Sequence, residues 1–143
     1  MRTRTASFLV LGFAGAGLAA SVYLTIAHYT SPRLLACGSS GLVNCERVTT
    51  SQQSTVLGIP VALLGCVFFA TMLAISIPSL WGRPRFRWIR LLAASVGMAF
   101  VLWLVYAEIV VIGAICLWCT FVHVCTFGIF VVVLFEASRP PQR

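Results

Sequence analysis

Four long apolar blocks divide this chain, and they constrain its fold more than any other feature. They cover about 7–29, 58–78, 89–113 and 116–137. A helix needs roughly 20 apolar residues to cross about 30 Å of hydrocarbon, and each block has about that length. Because 60% of the 143 residues are hydrophobic and only 9% are charged, a soluble domain of this size could not cover them. The chain is therefore predicted to be an all-α integral membrane protein, a single domain with a bundle of four transmembrane helices.

All ten basic residues are arginine, and their positions predict how the chain crosses the membrane. Eight of the ten lie before the first block, between the second and third, or after the fourth: Arg2, Arg4, Arg83, Arg85, Arg87, Arg90, Arg139 and Arg143. Basic residues are enriched in cytoplasmic loops of membrane proteins. Both termini and the 79–88 loop are therefore predicted to be cytoplasmic, in the cell (inner) membrane. The 30–57 loop and the short 113–116 turn then face outward.

A net charge of +7 could also indicate a protein that binds nucleic acid. The arginines border the apolar blocks, as expected for a membrane topology, so no nucleic-acid partner is predicted. A cleaved signal peptide is the alternative for the first block. An uncleaved span is favoured because the apolar stretch continues through residues 23–26. In the outer loop, Asn44 is a candidate cap for a short helix that begins at Cys45.

Four of the six cysteines are predicted to meet at the outer membrane surface. Cys116 and Cys119 form a CxxC motif that opens the last block, and Cys37 and Cys45 are expected to be a mobile pair in the outer loop. Residues i and i+3 share a helical face, and the first helical turn favours a thiolate. A CxxC pair in that position can cycle between dithiol and disulfide. We interpret the four thiols as a redox path between a soluble protein and a carrier dissolved in the membrane.

Two other interpretations of the cysteines stay open at this point. Zinc takes four ligands, and these four thiols could supply them, which would make the chain a membrane metal-binding protein. The seven-residue gap between Cys37 and Cys45 is poor for a zinc knuckle, and an outward compartment favours disulfides, so no metal is predicted. The four cysteines could also be idle. Cys66 and Cys125 lie inside apolar blocks and are predicted to be packing residues.

Two ionisable residues inside the blocks are candidate ligand-binding residues. Glu108 is a carboxylate in the third block, and intramembrane ionisable residues usually face the bundle interior and mark function. Its position near the outer end also allows the side chain to extend toward water. His123 follows Cys119 by four residues on the same helical stripe. Its imidazole could hydrogen-bond a ligand oxygen or shuttle a proton, or it could be satisfied by a neighbouring helix.

The chain resembles the vitamin K epoxide reductase family, and in particular its bacterial members. The resemblance extends over roughly residues 20–120, so it does not rest on a single CxxC motif. The matching residues are Tyr23-Leu24-Thr25, His28-Tyr29, Cys37, Cys45, Val48, Ser51, Ser54, Gly58-Ile59-Pro60-Val61, Leu63-Leu64-Gly65 and Ala114-Ile115-Cys116-Leu117-Trp118-Cys119.

The resemblance implies a four-helix bundle around a quinone, with a role for each thiol. Cys119 would react with the quinone, and Cys116 would be its partner and exchange with Cys45 of the loop. Cys37 would receive electrons from a thioredoxin-like protein. Ser51 matches the loop serine or threonine that the family has beside its active site.

The resemblance also implies a quinone of the menaquinone, ubiquinone or vitamin K type. His123 stands where vertebrate members have a tyrosine, so the ligand contact and sensitivity to coumarin inhibitors are not carried over. Many bacterial members carry a fused thioredoxin-like domain, and here a separate (DsbA-like) partner is expected. The expected function is quinone-dependent thiol–disulfide exchange that supports disulfide formation in exported proteins. Reduction of vitamin K epoxide is the alternative activity of the same fold.

Overall fold

The computed structural model describes residues 3–139, so Arg2 and Arg143 of the arginine pattern lie outside the described residues. Its helices, in chain order, are α1 (Thr3–Tyr29), α2 (Cys45–Thr49), α3 (Val61–Ile75), α4 (Pro78–Trp81), α5 (Pro84–Tyr106) and α6 (Leu117–Ala137). A π-helical segment, Ala107–Ile112, continues α5 and is called the π segment below. The predicted short helix is confirmed as α2, and the Asn44 side chain caps it by accepting from the N–H of Arg47 at 2.9 Å.

The connection between α1 and α3 is built from short elements. Two antiparallel hairpins form there, one from β1 (Ser39–Ser40) and β2 (Val43–Asn44), the other from β3 (Thr55–Val56) and β4 (Ile59–Pro60). Single 3₁₀ turns at Pro32–Leu34 and Gln52–Ser54 precede β1 and β3. The end of the bundle that carries residues 30–60 and the 113–116 turn is called the loop end, and the end that carries α4 is called the arginine end.

Three stretches among the described residues are long and apolar enough to cross a membrane: Arg4–Tyr29, Pro84–Ile112 and Leu117–Ala137. The prediction of an all-α membrane protein is thereby confirmed. The second apolar block, 58–78, instead yields the 15-residue helix α3. At 1.5 Å per residue such a helix is about 22 Å long, shorter than the hydrocarbon core. The helix ends at Ile75 because Pro78 begins α4 and restricts the backbone of Ile77 before it to an extended conformation.

Arg90 closes the break between α3 and α4. Its guanidinium donates to the carbonyl oxygens of Ile75 at 2.9 Å and Trp81 at 2.7 Å, and it stacks 4.2 Å from the centroid of the Trp81 ring. The Ser7 hydroxyl donates to the Ser76 carbonyl at 2.6 Å. Arg90 is only 3% exposed, so it is an internal residue rather than part of a water-facing basic loop. The interruption of the second block is therefore stable because its free carbonyls have donors.

Helix α1 is the centre of the bundle and packs against both α3 and α6, while α5 packs against α6. Small residues allow α1 and α3 to approach closely at two points. An added Cβ at Gly17 would overlap the ring of Phe69, and one at Gly65 would lie 2.8 Å from the Ser21 hydroxyl oxygen. Close approach at small residues is typical of helix packing in membranes.

Two buried clusters fill the bundle. The arginine-end cluster contains Ala6, Val10, Ala14, Phe69, Met72, Trp81, Ala94, Cys125, Ile129 and Val133. The loop-end cluster contains Leu24, Ala27, Leu35, Cys45, Val48, Ile112, Ala114 and Cys116. The first joins the helices to one another, whereas the second joins the helices to the connecting segments that carry the cysteine motifs.

The contact between Gly17 and Phe69 gives a stability test. Gly17→Ala should lower the free energy of unfolding by roughly 1–3 kcal/mol, because Phe69 is fully buried and its ring cannot move without disturbing the core. Gly15→Ala, two residues away with open space around it, is the matched control and should be neutral or stabilising. Thermal unfolding of the purified proteins in detergent measures both. Equal melting temperatures would contradict this account of the α1–α3 contact.

Candidate active site

A short parallel pairing joins the loop to the turn before α6. Val43 pairs with Ile115; the Asn44 N–H donates to the Ile115 carbonyl at 3.1 Å, and the Ile115 N–H donates to the Leu42 carbonyl at 2.7 Å. Cys45 follows Val43 by two residues, and Cys116 follows Ile115 directly. Since the two paired segments run in the same direction, both cysteines leave the pairing at the same end, and both are buried in the loop-end cluster.

Cys37 and Cys45 form a disulfide with a Cα–Cα distance of 5.9 Å. The expectation of a mobile loop pair is wrong in one respect, because Cys45 is 1% exposed and is part of the loop-end cluster. Its position follows from the start of α2, where the Asn44 cap fixes the direction of the helix. Cys37 is half-buried and lies at the edge of the same cluster. The two members of the pair therefore differ in access to water.

Tyr23 and Trp118 fasten the segment that leads to Cys37. The Tyr23 hydroxyl donates to the Leu34 carbonyl at 3.0 Å and accepts from the Ala36 N–H at 3.1 Å. The Trp118 indole N–H donates to the Ala36 carbonyl at 3.4 Å, and its ring centroid is 4.8 Å from that of Tyr23. Sequence reasoning assigned no role to these two rings. The available signal was their type, since Tyr and Trp near a membrane boundary commonly bind polar groups with the edge of an apolar ring.

Cys116 and Cys119 are free thiols at the start of α6. Cys116 is the N-cap, one residue before the first helical residue, and its Sγ accepts from the Cys119 N–H at 3.4 Å. Hydrogen bonding from the Cys119 side chain, and also from backbone N–H groups, lowers the pKa of the Cys116 thiol. Cys116 is fully buried and belongs to the same loop-end cluster as Cys45. The thiolate is the reactive form in thiol–disulfide exchange, so this hydrogen bonding favours the reactive form of Cys116.

A cavity of about 590 Å³ opens beside the CxxC pair, between α1, α3, α5 and α6. Most of its wall is apolar, including Phe68, Phe69, Phe100 and Trp103. Cys119 lines it, whereas Cys116, Cys37 and Cys45 are not among its lining residues. Its size is in the range of cavities that bind small organic molecules. Cys116 is thus buried within the loop-end cluster, whereas Cys119 packs against that cluster and also lines the cavity.

The three predicted ligand-binding residues all line this cavity. The Ser51 hydroxyl donates to the Val48 carbonyl at 2.7 Å, so its oxygen remains available mainly as an acceptor. Glu108 does not extend to water: it is 6% exposed, and its Oε2 accepts from the Cys116 N–H at 3.5 Å. His123 is 9% exposed, and its ring makes no hydrogen bond to another residue in the part of the chain that the structure describes.

Several cavity residues were not predicted. They include polar ones near the loop, namely His28, Thr49, Gln53 and Ser54, and Thr126 in α6. The signal in the sequence for His28 and Ser54 was their membership in the family pattern. The packing interpretation holds for Cys125, which is 3% exposed within the arginine-end cluster. Cys66 lies outside the cavity lining, with its sulfur 3.7 Å from the Thr25 hydroxyl oxygen.

A sequence model of the vitamin K epoxide reductase family matches residues 8–134, a range that contains all six cysteines. The chain belongs to this family. Family members are oxidoreductases that couple thiol redox chemistry to quinones, and they generally work with thioredoxin-like partners. Together with the three long apolar helices, family membership identifies the chain as a multi-pass membrane oxidoreductase.

Proposed function

We propose that the protein is a quinone-dependent thiol–disulfide oxidoreductase that supports disulfide formation in exported proteins. Electrons from a separate thioredoxin-like protein enter at Cys37 and Cys45 and pass to a membrane quinone through Cys116 and Cys119. The observation that supports this best is the graded access of the thiols. Cys37 is half-buried, Cys45 and Cys116 are both fully buried in the loop-end cluster, and Cys119 lines the cavity.

Every electron transfer in this scheme except the last is a thiol–disulfide exchange. The partner's dithiol reduces the Cys37–Cys45 disulfide, and the released Cys45 thiolate reduces an oxidised Cys116–Cys119 pair. The final step moves two electrons and two protons from Cys116 and Cys119 to the quinone. A quinone is a strong two-electron acceptor, so the direction from protein thiols to quinone is downhill. The disulfide in the loop pair favours this scheme over a four-thiolate zinc site, because a disulfide sulfur is not a thiolate ligand.

The cavity has the chemistry that a quinone ring requires. Aromatic and aliphatic side chains supply most of the wall, and the polar lining residues include Ser51, Glu108 and His123. A buried imidazole without a protein partner is costly unless a ligand completes its hydrogen bonds. We infer that His123 donates to a quinone carbonyl oxygen, and that Ser51 and Glu108 line the same site. Menaquinone, ubiquinone and vitamin K all present carbonyl oxygens of this kind.

The proposed topology has four spans, with both termini and the arginine end in the cytoplasm and the loop end outside the cell membrane. In this arrangement α3, the break after it and α4 together form the second span. Val61 and Trp81 are 20 positions apart, and Arg90 ties the two helices together from inside. The exposed Arg83 and Arg85 on the arginine end support the cytoplasmic assignment.

Topology is tested by labelling intact cells. In a Cys37→Ser/Cys45→Ser background, Leu42→Cys should react with a membrane-impermeant maleimide and Gly82→Cys should not, since both positions are exposed but lie at opposite ends of the bundle. Lysed cells, in which both should react, provide the control. Labelling of Gly82→Cys alone in intact cells would contradict this topology and indicate the opposite orientation.

The relay is tested by separating the two reductants. Cys37→Ser should abolish quinone reduction driven by a reduced thioredoxin-like protein but leave reduction driven by a small dithiol largely intact, because a small molecule can reduce the inner pair directly. Cys119→Ser should abolish both activities. Quinone absorbance in detergent solution reports the rates. Equal losses in the two assays for Cys37→Ser would contradict a relay through the loop pair.

The role of His123 is tested by removing its donor while keeping its bulk. His123→Phe should slow quinone reduction roughly ten- to a hundredfold, as expected for loss of one hydrogen-bond donor to developing oxygen charge. His123→Tyr should restore most of the rate through its hydroxyl. Cys125→Ala, on the same helix but outside the cavity lining, is the control and should retain substantial activity. A wild-type rate for His123→Phe would show that the ring is a packing residue only.

A further inference from the structure

Glu108 is an isolated carboxyl group at the loop end of the bundle. It is 6% exposed and lines the cavity together with Cys119 and His123. No cation forms an ion pair with it in the described range 3–139, where the ion pairs are Arg33–Glu46 and Arg139–Glu136. A buried carboxylate without a counter-ion is strongly disfavoured, and the protonated carboxyl group is the form that such a site accommodates.

The backbone of Glu108 already secures the local structure without the side chain. The Glu108 carbonyl accepts from the N–H groups of Gly113 and Ala114, the latter at 3.1 Å, and so closes the π segment. Gly113 has a φ of 67°, the left-handed conformation that ends the segment at little cost for glycine. The side chain adds one long hydrogen bond, from the Cys116 N–H at 3.5 Å. A single bond of this length does not account for burying an ionisable group, since an apolar side chain would stabilise the site better.

We propose that Glu108 carries protons between the Cys116–Cys119 pair and the quinone, an inference that rests on the function proposed above. In the quinone step the two S–H bonds break, one S–S bond forms, and two electrons and two protons reach the quinone oxygens, where two O–H bonds form. Glu108 donates one proton to a quinone oxygen in the cavity and regains it from the Cys116 thiol, and the Cys119 thiol, which lines the cavity, supplies the second proton. Its protonation state is unchanged after a complete cycle, so protons and electrons balance.

The other titratable groups around Glu108 have different positions and roles. Cys116, the N-cap of α6, contacts it through its backbone N–H, and Cys119 and His123 of α6 and His28 of α1 line the same cavity. Helix α2, which contacts the π segment, contributes Cys45, which is bound in a disulfide. Among these groups Glu108 combines a contact to the backbone of Cys116 with a position in the cavity wall. A carboxyl that contacts the backbone of Cys116 and also lines the ligand space is placed to connect the protons of the two.

Glu108→Gln separates proton transfer from structure, because glutamine keeps an oxygen that accepts from the Cys116 N–H but has no proton to exchange. Full-length protein reduced beforehand is mixed with a soluble menaquinone analogue, and a single turnover is followed by quinone absorbance across a range of pH, in H₂O and in D₂O. We expect Glu108→Gln to be slower by about 100-fold, a typical loss for a proton-transfer group. It should be as slow as Glu108→Ala and should lose the solvent isotope effect of the wild type.

Glu136→Gln is the matched control, since Glu136 is a largely buried carboxyl in the last turn of α6 at the arginine end. Its rate and pH profile should equal those of the wild type. A wild-type rate and pH profile for Glu108→Gln would overturn the proposal and leave the relay untouched. A wild-type protein that does not reduce quinone would overturn the proposed function itself. If Glu108→Gln does not fold, Glu108→Asp decides: the carboxylate should give more activity than Glu108→Ala, and equal rates would overturn the role of Glu108.

Discussion

Two backbone hydrogen bonds between the loop and residue 115 are the contact on which the rest of the active site depends. They join Leu42 and Asn44 to Ile115, across more than seventy positions of sequence. A further hydrogen bond between the loop and the CxxC motif comes from the Trp118 indole, which donates to the Ala36 carbonyl. Together these contacts hold both loop cysteines against the start of α6, and Cys45 and Cys116 are buried in one cluster. A few polar groups thus fix where the loop pair lies relative to the CxxC motif.

The bundle supports this arrangement at both ends. At the loop end, α1 supplies Tyr23 and α6 supplies Trp118, and these rings hold the chain on either side of Ala36. At the arginine end, Arg90 and Ser7 complete the free carbonyls at the break after α3. Buried backbone polar groups require partners, and in a membrane no water can supply them. The interrupted second apolar block is therefore compatible with a membrane environment because its partners come from neighbouring helices.

The features that could be predicted from the sequence are those that depend on local chemistry. Apolar block length predicted a helical membrane protein, and an asparagine before Cys45 predicted a capped helix. The shortness of α3 was missed because hydropathy is continuous across the break, whereas the donor that stabilises it, Arg90, comes from another helix. The burial of Cys45 and the roles of Tyr23 and Trp118 were missed because they too depend on contacts between segments that are distant in the sequence. Cavity residues such as His28 and Gln53 come together only through tertiary packing, and no local sequence pattern predicts that they line the same cavity.

The loop between Cys37 and Cys45 is held at both ends by contacts that do not involve sulfur. Ala36 is bound by Tyr23 and Trp118 immediately before Cys37, and Asn44 is bound by Ile115 immediately before Cys45. These contacts do not depend on the disulfide, so they are also available to hold the two ends of the loop when the Cys37–Cys45 bond is broken. In the function proposed above, the enzyme would then alternate between oxidised and reduced forms with little reorganisation of its backbone. The speed of such a cycle would depend on the chemistry and on the arrival of the reactants rather than on refolding of the loop.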